Sequence, residues 1–534
     1  MPSSYIPFKK TGYFSDLICD YLDQSHRLQP FYNKFPELNN FKLQIEEKQA
    51  SFNKESREIL IKVLQSQNES ISVSSKTSKN ISALKDSNTF TVTTGHQLNL
   101  FTGPLYFFYK IVSTINLCSE LKKEYPNYNF VPIYWMASED HDFDEINFFN
   151  HNGKKVQWSK QVSGPVGELN LSGLDAVYEA FSVEIGLGNN ADTLKTVFKE
   201  AYLKHDTLAE ATRYLVNTFF SELGLVILDG NDKSLKQLFI PNIKDELLNK
   251  TTFQKVSETN KNLNKLEADY KVQVNPREIN LFYISDGLRE RIVENEGIYQ
   301  VLDTDIKWDV ETIIDEVENN PERFSPNVIT RPLYQEVILP NLCYIGGGGE
   351  LAYWFQLKSS FEAHQVPFPI LLLRNSVLLI SKKQREKLEK LDIDISEMFL
   401  KQDDLITKVT RQFSQIDIDF TAQKNQLNKQ FEDLYELAEK TDKSFLGAVA
   451  AQERKQVKGL EHLEKRLLKA QKRKLKEVIG RVTNIQDTLF PNQSLQERQA
   501  NFSDFYLEYG DQLIQQLVLN LQPLKGEFTI LNLD

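Results

Sequence analysis

The pattern of apolar and polar positions predicts short buried strands and amphipathic helices over the first 380 residues. Uninterrupted runs of β-branched, aromatic and aliphatic residues predict strands at 90–93, at 225–228, at 369–373 and from Val131 onward. Apolar residues at helical spacing predict helices before residue 85 and over 105–117. Such an alternation of strands and helices favours a layered α/β architecture.

Beyond Ser381 the composition changes to Lys, Glu, Gln and Leu, and the apolar residues follow another period. The stripes, spaced three and four residues apart, are Leu427, Phe431, Leu434 and Ala438, and then Leu475, Val478, Val482, Ile485 and Leu489. This spacing predicts a coiled coil. A turn at 441–444 would make it an antiparallel helix hairpin, and its expected role is dimerisation.

Acidic residues and a histidine crowd together where the strand from Val131 should end. They include Glu139, Asp140, His141 and Asp142. In an open parallel sheet the ligand crevice lies at the carboxyl ends of the strands, so these side chains are expected to face a site. The alternative is a solvated loop that caps the next helix, because Asp side chains accept hydrogen bonds from free helix N–H groups.

Two glycine-containing turns separate predicted strands from helices. The first contains Thr94, Gly95, His96, Gln97, Thr102 and Gly103 and precedes a helix that carries Lys110. A strand, such a turn and a helix together expose backbone N–H groups that suit a phosphate. Neither G-x-x-x-x-G-K-[ST] nor G-x-G-x-x-G is present. A purely structural role for His96 remains the alternative.

The second glycine turn consists of Gly346, Gly347, Gly348 and Gly349. Its free backbone would allow close approach to a ligand, although four glycines also suit a tight turn. Polar residues before and after it are expected to converge on the same pocket. They are Arg331, Gln335, Glu350 and Tyr353, and then Arg374 and Asn375 after the strand at 369–373.

Length and composition limit the remaining possibilities. A chain of 534 residues is expected to form about two to four domains. The net charge of −11 argues against general binding to nucleic acid or acidic membranes, and only 454–481 forms a local basic stretch. No apolar run is long enough for a membrane helix, so a cytoplasmic location is expected. Cys19, Cys118 and Cys343 form no disulfide or zinc pattern.

Several stretches together resemble one family, the bacillithiol biosynthesis cysteine-adding enzymes. They are TTGHQLNLFTGPLYFFYK at 93–110, VPIYWMASEDHDFDEIN at 131–147, FSPNVITRPLYQEVILPN at 324–341, YIGGGGELAYW at 344–354, PILLLRNS at 369–376 and LQERQANF at 495–502. These stretches occur in order over nearly the whole chain. The family pattern usually has proline where this chain has Gly348.

The resemblance implies an α/β fold: a Rossmann-like parallel-sheet core with connecting-peptide insertions and a long antiparallel α-helical coiled-coil arm. The expected division is a first core part with N-terminal helices at 1–152, a mainly helical insertion at 153–272 with a strand near 225–228, a second core part with a small insertion at 273–382, the coiled-coil arm at 383–490, and a segment packing back on the body at 491–534. The arm is expected to mediate homodimerisation.

The resemblance also implies that L-cysteine is added to the amine of glucosaminyl malate to give bacillithiol. Because amide formation from a carboxylate is uphill, an ATP- or ADP-type nucleotide is the expected cofactor, and Mg²⁺ is a candidate companion. The predicted catalytic residues are Glu139, Asp140, His141, Asp142 and His96. The predicted nucleotide-binding residues are Thr94, Gly95, Gln97, Thr102, Gly103, Lys110 and Gly346, Gly347, Gly348 and Gly349. The predicted substrate-binding residues are Arg331, Gln335, Glu350, Tyr353, Arg374 and Asn375.

A different class of function fits some of the same features. A non-catalytic, synthetase-like protein could bind nucleotide or RNA and use its helical arm for interactions. No aromatic residues interleave with the lysines of 454–481, so nucleic-acid contact is not favoured. No histidine-rich or cysteine-rich metal site is predicted. Activity after chelation would distinguish a magnesium-dependent enzyme from a metal-independent one.

Overall fold

A computed structural model describes residues 3–266 and 270–533 and divides the chain into two compact units. The first unit contains the residues up to Leu379 together with Gln496–Leu533. The second unit is Ile380–Leu495. The chain therefore leaves the first unit once, forms the second, and returns.

A five-stranded parallel sheet forms the centre of the first unit. In spatial order its strands are Ile370–Leu373, Asn341–Gly346, Thr89–His96, Asn129–Met136 and Val226–Asp229. Nearly every residue of these strands is buried, which explains their uninterrupted apolar runs. Gly95 pairs with Trp135 and Gly346 with Leu373, so the carboxyl ends meet at one edge. This parallel sheet confirms the predicted α/β core.

Helices surround this sheet and fill the long insertion between its strands. Before the first sheet strand they are Phe8–Thr11, Asp16–Leu22, Leu38–Ser51, Lys54–Gln67 and Ser75–Ala83. Within the sheet region they are Tyr106–Glu124, Phe143–Ile146, Leu174–Ile185, Asn189–Leu203, Leu208–Phe220, Lys233–Gln237, Ile240–Leu248, Thr251–Asn264, Val310–Asn319, Arg331–Ile338, Gly348–Trp354 and Lys358–Ala363. The C-terminal helices are Gln496–Gln499, Phe502–Tyr509 and Gln512–Asn520.

The C-terminal helices share a hydrophobic core with the first sheet helix and the helical insertion. Phe502 stacks on Phe108 with ring centroids 4.5 Å apart, and it also contacts Phe101 at 5.0 Å. Phe101 in turn packs against Phe181 and Phe198 of the insertion. The end of the chain is therefore part of the core that supports the sheet.

A second, antiparallel sheet lies within the segment between the helices Thr251–Asn264 and Arg331–Ile338. Its strands, in spatial order, are Lys307–Trp308, Ile298–Val301, Leu288–Asn295, Leu281–Ser285 and Phe324–Pro326. Asp286-Gly287 and Glu296-Gly297 make its two-residue turns, and Gly287, Glu296 and Gly297 all have positive φ. Sequence patterning left these strands unordered.

Two smaller sheets complete the first unit. One has the order Ser4–Ile6, Phe528–Leu533 and Val377–Ser381, and its last strand continues into the second unit. The other pairs Phe148–His151 with Lys154–Gln157.

The second unit contains the predicted helix hairpin. The helices of this unit are Lys382–Lys390, Gln402–Phe413, Thr421–Ala438, Lys443–Lys474 and Lys476–Leu489. The third and fourth of them form the hairpin. Phe431, Ala438 and Val449 form the buried contact between the third and fourth of these helices. This antiparallel pair confirms the predicted coiled-coil arm.

One position of the predicted apolar stripe is wrong. Leu434 is 40% exposed, and Tyr435 packs at the helix interface in its place. Positions 434 and 435 are both close to the continuation of the stripe at 3.6 residues per turn, so the partner helix decides between them. The Tyr435 hydroxyl donates to Glu453 at 2.7 Å, which fixes the choice. Across residues 3–266 and 270–533, no helix has both the length and the apolar character that crossing a membrane requires.

Candidate active site

A cavity of about 760 Å³ opens at the carboxyl edge of the parallel sheet. Its wall combines residues from the ends of three sheet strands, from the antiparallel sheet and from the loop at 273–277. His141 and Gly347 both line it, although they are far apart in sequence. The acidic segment and the second glycine turn therefore share one cavity.

The structure brings most, but not all, of the predicted site residues into this wall. Those that line it are Gly95, His96, Gln97, Lys110, Glu139, Asp140, His141, Arg331, Gly347, Gly349, Glu350, Tyr353 and Arg374. Those outside the lining are Thr94, Thr102, Gly103, Asp142, Gln335, Gly346, Gly348 and Asn375. The second group instead supports the first, as described below.

Asp140 is held by amide donors. Its Oδ1 accepts the backbone N–H of His141 at 2.7 Å, and its Oδ2 accepts Nε2 of Gln97 at 2.8 Å. Asp142 instead caps the helix Phe143–Ile146 by accepting the N–H of Glu145 at 3.3 Å. Asp140 therefore lines the cavity, as the site interpretation predicts, whereas Asp142 caps a helix, as the alternative predicts.

Glu139 carries a charge that is already compensated. It pairs with Lys236, a fully buried lysine whose ammonium also donates to the carbonyl of Phe324 at 2.7 Å. Burial lowers the pKa of Lys236, while Glu139 opposes that change. Sequence reasoning missed Lys236, because nothing in its local pattern connects the helix Lys233–Gln237 to the strand end at Met136.

His141 meets a residue of the antiparallel sheet. Nη1 of Arg289 lies 2.6 Å from Nδ1 of His141, and the guanidinium lies over the ring of Phe282, 3.9 Å from its centroid. Arg289 and Phe282 were not predicted as site residues. The Asp286-Gly287 turn signal would have predicted the hairpin that carries them, but not its position at the cavity.

His96 lies at the end of its strand between aromatic rings. Its ring centroid is 5.5 Å from that of Tyr106 and 5.1 Å from that of Phe107. Burial, followed by the cations Lys110 and Arg374, lowers the pKa of His96 well below 6.5, so the ring is neutral. Its Nε2 is buried and has no hydrogen-bond partner among the described residues. His96 thus brings a buried polar atom without a partner to the cavity wall.

Three residues of the first glycine turn, Thr94, Thr102 and Gly103, lie outside the cavity lining. Thr94 donates to the carbonyl of Ile345 at 2.8 Å and ties two sheet strands together. Phe101 and Thr102 have φ of 47° and 65°, so the loop curls back before Gly103. Asn501 then donates to the carbonyls of Phe101 at 2.9 Å and Gly103 at 2.6 Å. This backbone is therefore engaged by the C-terminal segment.

Lys110 links the two glycine turns. Its ammonium donates to the carbonyl of Gly95 at 2.7 Å and lies 2.7 Å from Oε2 of Glu350. Glu350 also accepts the N–H of Gly347 at 2.7 Å and the hydroxyl of Tyr344 at 2.9 Å. Burial would raise the pKa of Glu350, but Lys110 and the Gly347 N–H outweigh it, and the pKa is lowered. Glu350 is thus an ionised support.

The glycines of the second turn differ in what surrounds them. A Cβ on Gly346 would lie 2.8 Å from Leu351 and 3.0 Å from Tyr344, whereas one on Gly349 would meet nothing within 4 Å. Gly348 begins the helix Gly348–Trp354, a first position at which proline is tolerated.

We expect Gly346→Ala and Gly349→Ala to have opposite effects on stability. Gly346→Ala should lower the free energy of unfolding by about 1–3 kcal/mol, because its methyl group overpacks the turn. Gly349→Ala should raise it by up to about 1 kcal/mol, since alanine is the better helix former. Urea unfolding of both variants measures the difference. Equal destabilisation of both would contradict the assigned packing.

Arg331 is one of the cations that line the cavity. Its Nη1 donates to Gln335 at 3.1 Å and its Nη2 to the hydroxyl of Tyr353 at 3.3 Å. The guanidinium lies 5.8 Å from the ring centroid of Trp135 and 5.7 Å from that of Tyr344. Among the described residues, no carboxylate forms an ion pair with it. Such a group suits an incoming carboxylate or phosphate.

Arg374 is held in place by an ion pair with Glu497. Its Nη2 donates to Glu497 at 2.8 Å, and both side chains are almost completely buried. Its Nε is buried without a hydrogen-bond partner in the described part of the chain. Asn375 donates to the carbonyl of Gln522 at 3.0 Å and accepts the Ser113 hydroxyl at 2.9 Å, so it braces the turn from outside the cavity. Arg374 therefore lines the cavity as a nearly buried cation with one unpartnered N–H group.

The fold and cavity together define a Rossmann-like protein with a polar ligand site at the carboxyl ends of its parallel strands. Two family models identify the protein family. The model described as the N-terminal Rossmann-like domain of bacillithiol biosynthesis BshC matches residues 1–375. The model of the C-terminal coiled-coil domain of BshC matches 377–533. The chain therefore belongs to the BshC family of bacillithiol biosynthesis.

Curated relatives agree over the full length. Proteins named "Putative cysteine ligase BshC" are 57% identical in Christiangramia forsetii, over 99% of both chains, and 55% identical in Flavobacterium johnsoniae, over 100% of both. A relative with the same name in Cytophaga hutchinsonii is 39% identical over 96% of this chain and 95% of that one. These matches confirm the family resemblance.

Proposed function

We propose that this protein is a cysteine ligase that joins the carboxyl group of L-cysteine to the amine of glucosaminyl malate, forming bacillithiol. The observation that carries the proposal is the shared cavity, which is lined both by Asp140 and His141 of the acidic segment and by Arg331 and Arg374 beside the second glycine turn. The curated relatives are named as cysteine ligases, which supports the same reaction.

The charges of the cavity suit the charges of these substrates. Among the described residues, Arg331 uses two of its five N–H donors, which leaves donors for a malyl carboxylate, and Arg374 would add its Nε. Asp140 is the candidate for the cysteine ammonium, because its carboxylate is held by amide donors and forms no ion pair with a lysine or arginine of the described residues. A proton acceptor for the attacking amine is expected in the acidic segment.

A nucleotide of the ATP or ADP type would supply the activation that amide formation requires. In the cavity wall, Nε of Arg374 is a donor without a partner among the described residues, and Nε2 of His96 would be a second donor to an anionic group when it carries the imidazole proton. Lys110 and Glu350 are paired with each other, so they hold the surrounding turns in place rather than binding the nucleotide directly. Any Mg²⁺ would be expected to bind through phosphate oxygens and one or two carboxylates.

The direct test is a reconstituted reaction. Purified protein is incubated with L-cysteine and glucosaminyl malate, with and without ATP and Mg²⁺, and bacillithiol, AMP and ADP are measured by mass spectrometry. We expect bacillithiol only when both substrates are present, together with one of the two nucleotide products. A parallel incubation with a chelator tests the metal.

A binding-only protein would give a different result. It would retain nucleotide or RNA without forming product, and RNA association through the basic stretch at 454–481 would weaken steeply with salt. Product formation is expected here, because a scaffold does not require so many polar groups in one cavity. Absence of bacillithiol under every condition would reject the ligase proposal.

We also propose that the arm mediates homodimerisation. Four apolar side chains around its hairpin turn are between 39% and 53% exposed: Leu434, Leu437, Phe445 and Leu446. An exposed apolar patch of this kind marks an interaction surface.

Charged substitutions at the hairpin turn are therefore expected to dissociate the dimer. Leu437→Glu combined with Phe445→Glu should shift the sedimentation coefficient from that of a dimer to that of a monomer. Leu519→Glu, at a leucine that is 76% exposed in the first unit, serves as the control and should leave the dimer intact. If the doubly substituted protein stays dimeric, the dimer interface lies elsewhere.

A further inference from the structure

The contact between His141 and Arg289 determines which nitrogen of the imidazole carries the proton. Arg289 Nη1 lies 2.6 Å from His141 Nδ1. A guanidinium has N–H donors and no acceptor, so Nδ1 must accept this hydrogen bond through its lone pair. A neutral imidazole with an accepting Nδ1 carries its proton on Nε2.

Arg289 is itself fixed, so the contact is built into the fold. The residue is 8% exposed, and its Nε donates to the hydroxyl of Ser325 at 3.3 Å. Its guanidinium lies over the ring of Phe282, and the same ring lies 5.5 Å from that of His141. Phe282 therefore positions both members of the pair.

The carboxylates nearby do not favour the other tautomer. Asp140 Oδ1 is 3.8 Å from His141 Nδ1, beyond hydrogen-bond distance, and it accepts the backbone N–H of His141 at 2.7 Å instead. Glu139 is occupied by Lys236. The closest partner of Nδ1 is thus a donor, and the lone pair that a general base needs is already used.

We infer that Arg289 holds His141 as the neutral imidazole with its proton on Nε2, and that His141 acts in the cavity as a hydrogen-bond donor to an anionic substrate oxygen rather than as a general base. Arg289 is then a positioning residue. The substrate part of this inference rests on the proposed ligase function, whereas the tautomer does not. A neutral donor aimed at developing negative charge stabilises it without a proton transfer.

The two roles predict different results for His141→Gln and His141→Ala. A glutamine amide donates a hydrogen bond but does not act as a base at neutral pH. We expect His141→Ala to lower kcat about 100-fold, the scale of a lost oxyanion donor, while His141→Gln stays within about tenfold of the native enzyme. Equal losses in both variants would overturn the donor role.

Arg289 should act only through His141. Arg289→Met should lower kcat about tenfold in the native background and have little effect in the His141→Gln background, the non-additivity expected of coupled residues. Arg289→Lys, which still donates, should restore most of the loss. Arg323→Met provides the matched arginine control, because Arg323 is partly exposed and lies outside the cavity lining. Additive losses would reduce Arg289 to a structural residue.

The tautomer is measurable without turnover. In full-length protein labelled with ¹⁵N-histidine, with His141→Ala used for assignment, long-range ¹H–¹⁵N spectra should show a protonated Nε2 and an unprotonated Nδ1 for His141. Arg289→Met should shift this signal towards a mixture. A protonated Nδ1 in the native protein would overturn the inference, even if bacillithiol is formed. If no product forms but the Nε2–H signal is present, only the ligase proposal fails.

Discussion

Replacing Arg331 with methionine is expected to raise KM for the carboxylate-bearing substrate about 10- to 100-fold while leaving the fold intact. A hydrogen bond to a charged group contributes about 1.5–3 kcal/mol, and each 1.4 kcal/mol is a factor of ten in affinity. The fold should tolerate the change because Arg331 forms no ion pair with the described residues, so its loss leaves no buried carboxylate uncompensated. Steady-state kinetics and thermal unfolding of the same preparation measure both effects.

Gln335 connects Arg331 to the buried acid Glu336. Its Nε2 donates to Glu336 at 3.0 Å, so its Oε1 must face Arg331. Glu336 is fully buried and paired with Lys48 at 3.1 Å. The amide of Gln335 therefore lies between Arg331 and Glu336. Gln335 was predicted to bind substrate, but its side chain is completely buried. It contacts Arg331, which is the residue proposed to bind the substrate carboxylate.

Arg374→Met is the informative control for Arg331→Met. It would strand the carboxylate of Glu497, which is completely buried, and breaking such a pair costs about 3–5 kcal/mol. The melting temperature of Arg374→Met should therefore fall further than that of Arg331→Met, which strands only the neutral Oε1 of Gln335. An unchanged KM in Arg331→Met would remove Arg331 from substrate binding.

Lys110→Met is expected to have the second largest effect, on stability and turnover together. It would leave Glu350 without its cation and the carbonyl of Gly95 without its donor. Because Glu350 remains 28% exposed, we expect a loss of about 3 kcal/mol, the lower end of the range for a broken buried pair. Both glycine turns should loosen, so turnover should fall as well.

The double variant Lys110→Met with Glu350→Gln distinguishes charge from packing. Removing both charges should recover part of the stability that Lys110→Met loses, because the stranded carboxylate is then absent. Urea unfolding of the two single variants and the double variant completes the cycle. A double variant as unstable as the sum of the singles would mean that the ion pair contributes nothing specific.

The same pair predicts the response to acid. The pKa of Glu350 is lowered in the folded protein, since Lys110 and the Gly347 N–H outweigh burial. Its contribution to stability is therefore fully present above its unfolded pKa of about 4.3 and is lost as pH falls through the lower folded value. Glu350→Gln should flatten the fall in stability below that pH, and an unchanged acid limb would contradict this assignment.

The candidate site was predictable where strand ends contributed to it. Asp140, His141 and Gly347 follow buried strands, and parallel strands direct their carboxyl ends to one edge. Arg289 and Lys236 were not predictable, because no spacing rule connects a distant hairpin or helix to that edge. Thr102 and Gly103 were assigned to a phosphate-binding loop, but their backbone N–H groups donate to the carbonyls of Asn99 and Leu100 within the loop.

The sequence by itself determined which segments are buried strands, where the chain turns at glycine, and where the helix hairpin begins. These properties follow from local periodicity and backbone preference, and the quoted motifs add the family. Only the tertiary structure decided which charges meet: Glu139 with Lys236, Glu497 with Arg374, and Arg289 with His141. The reason is physical, since burying a charge is costly unless a partner arrives from another segment, and that partner is fixed by packing rather than by sequence distance.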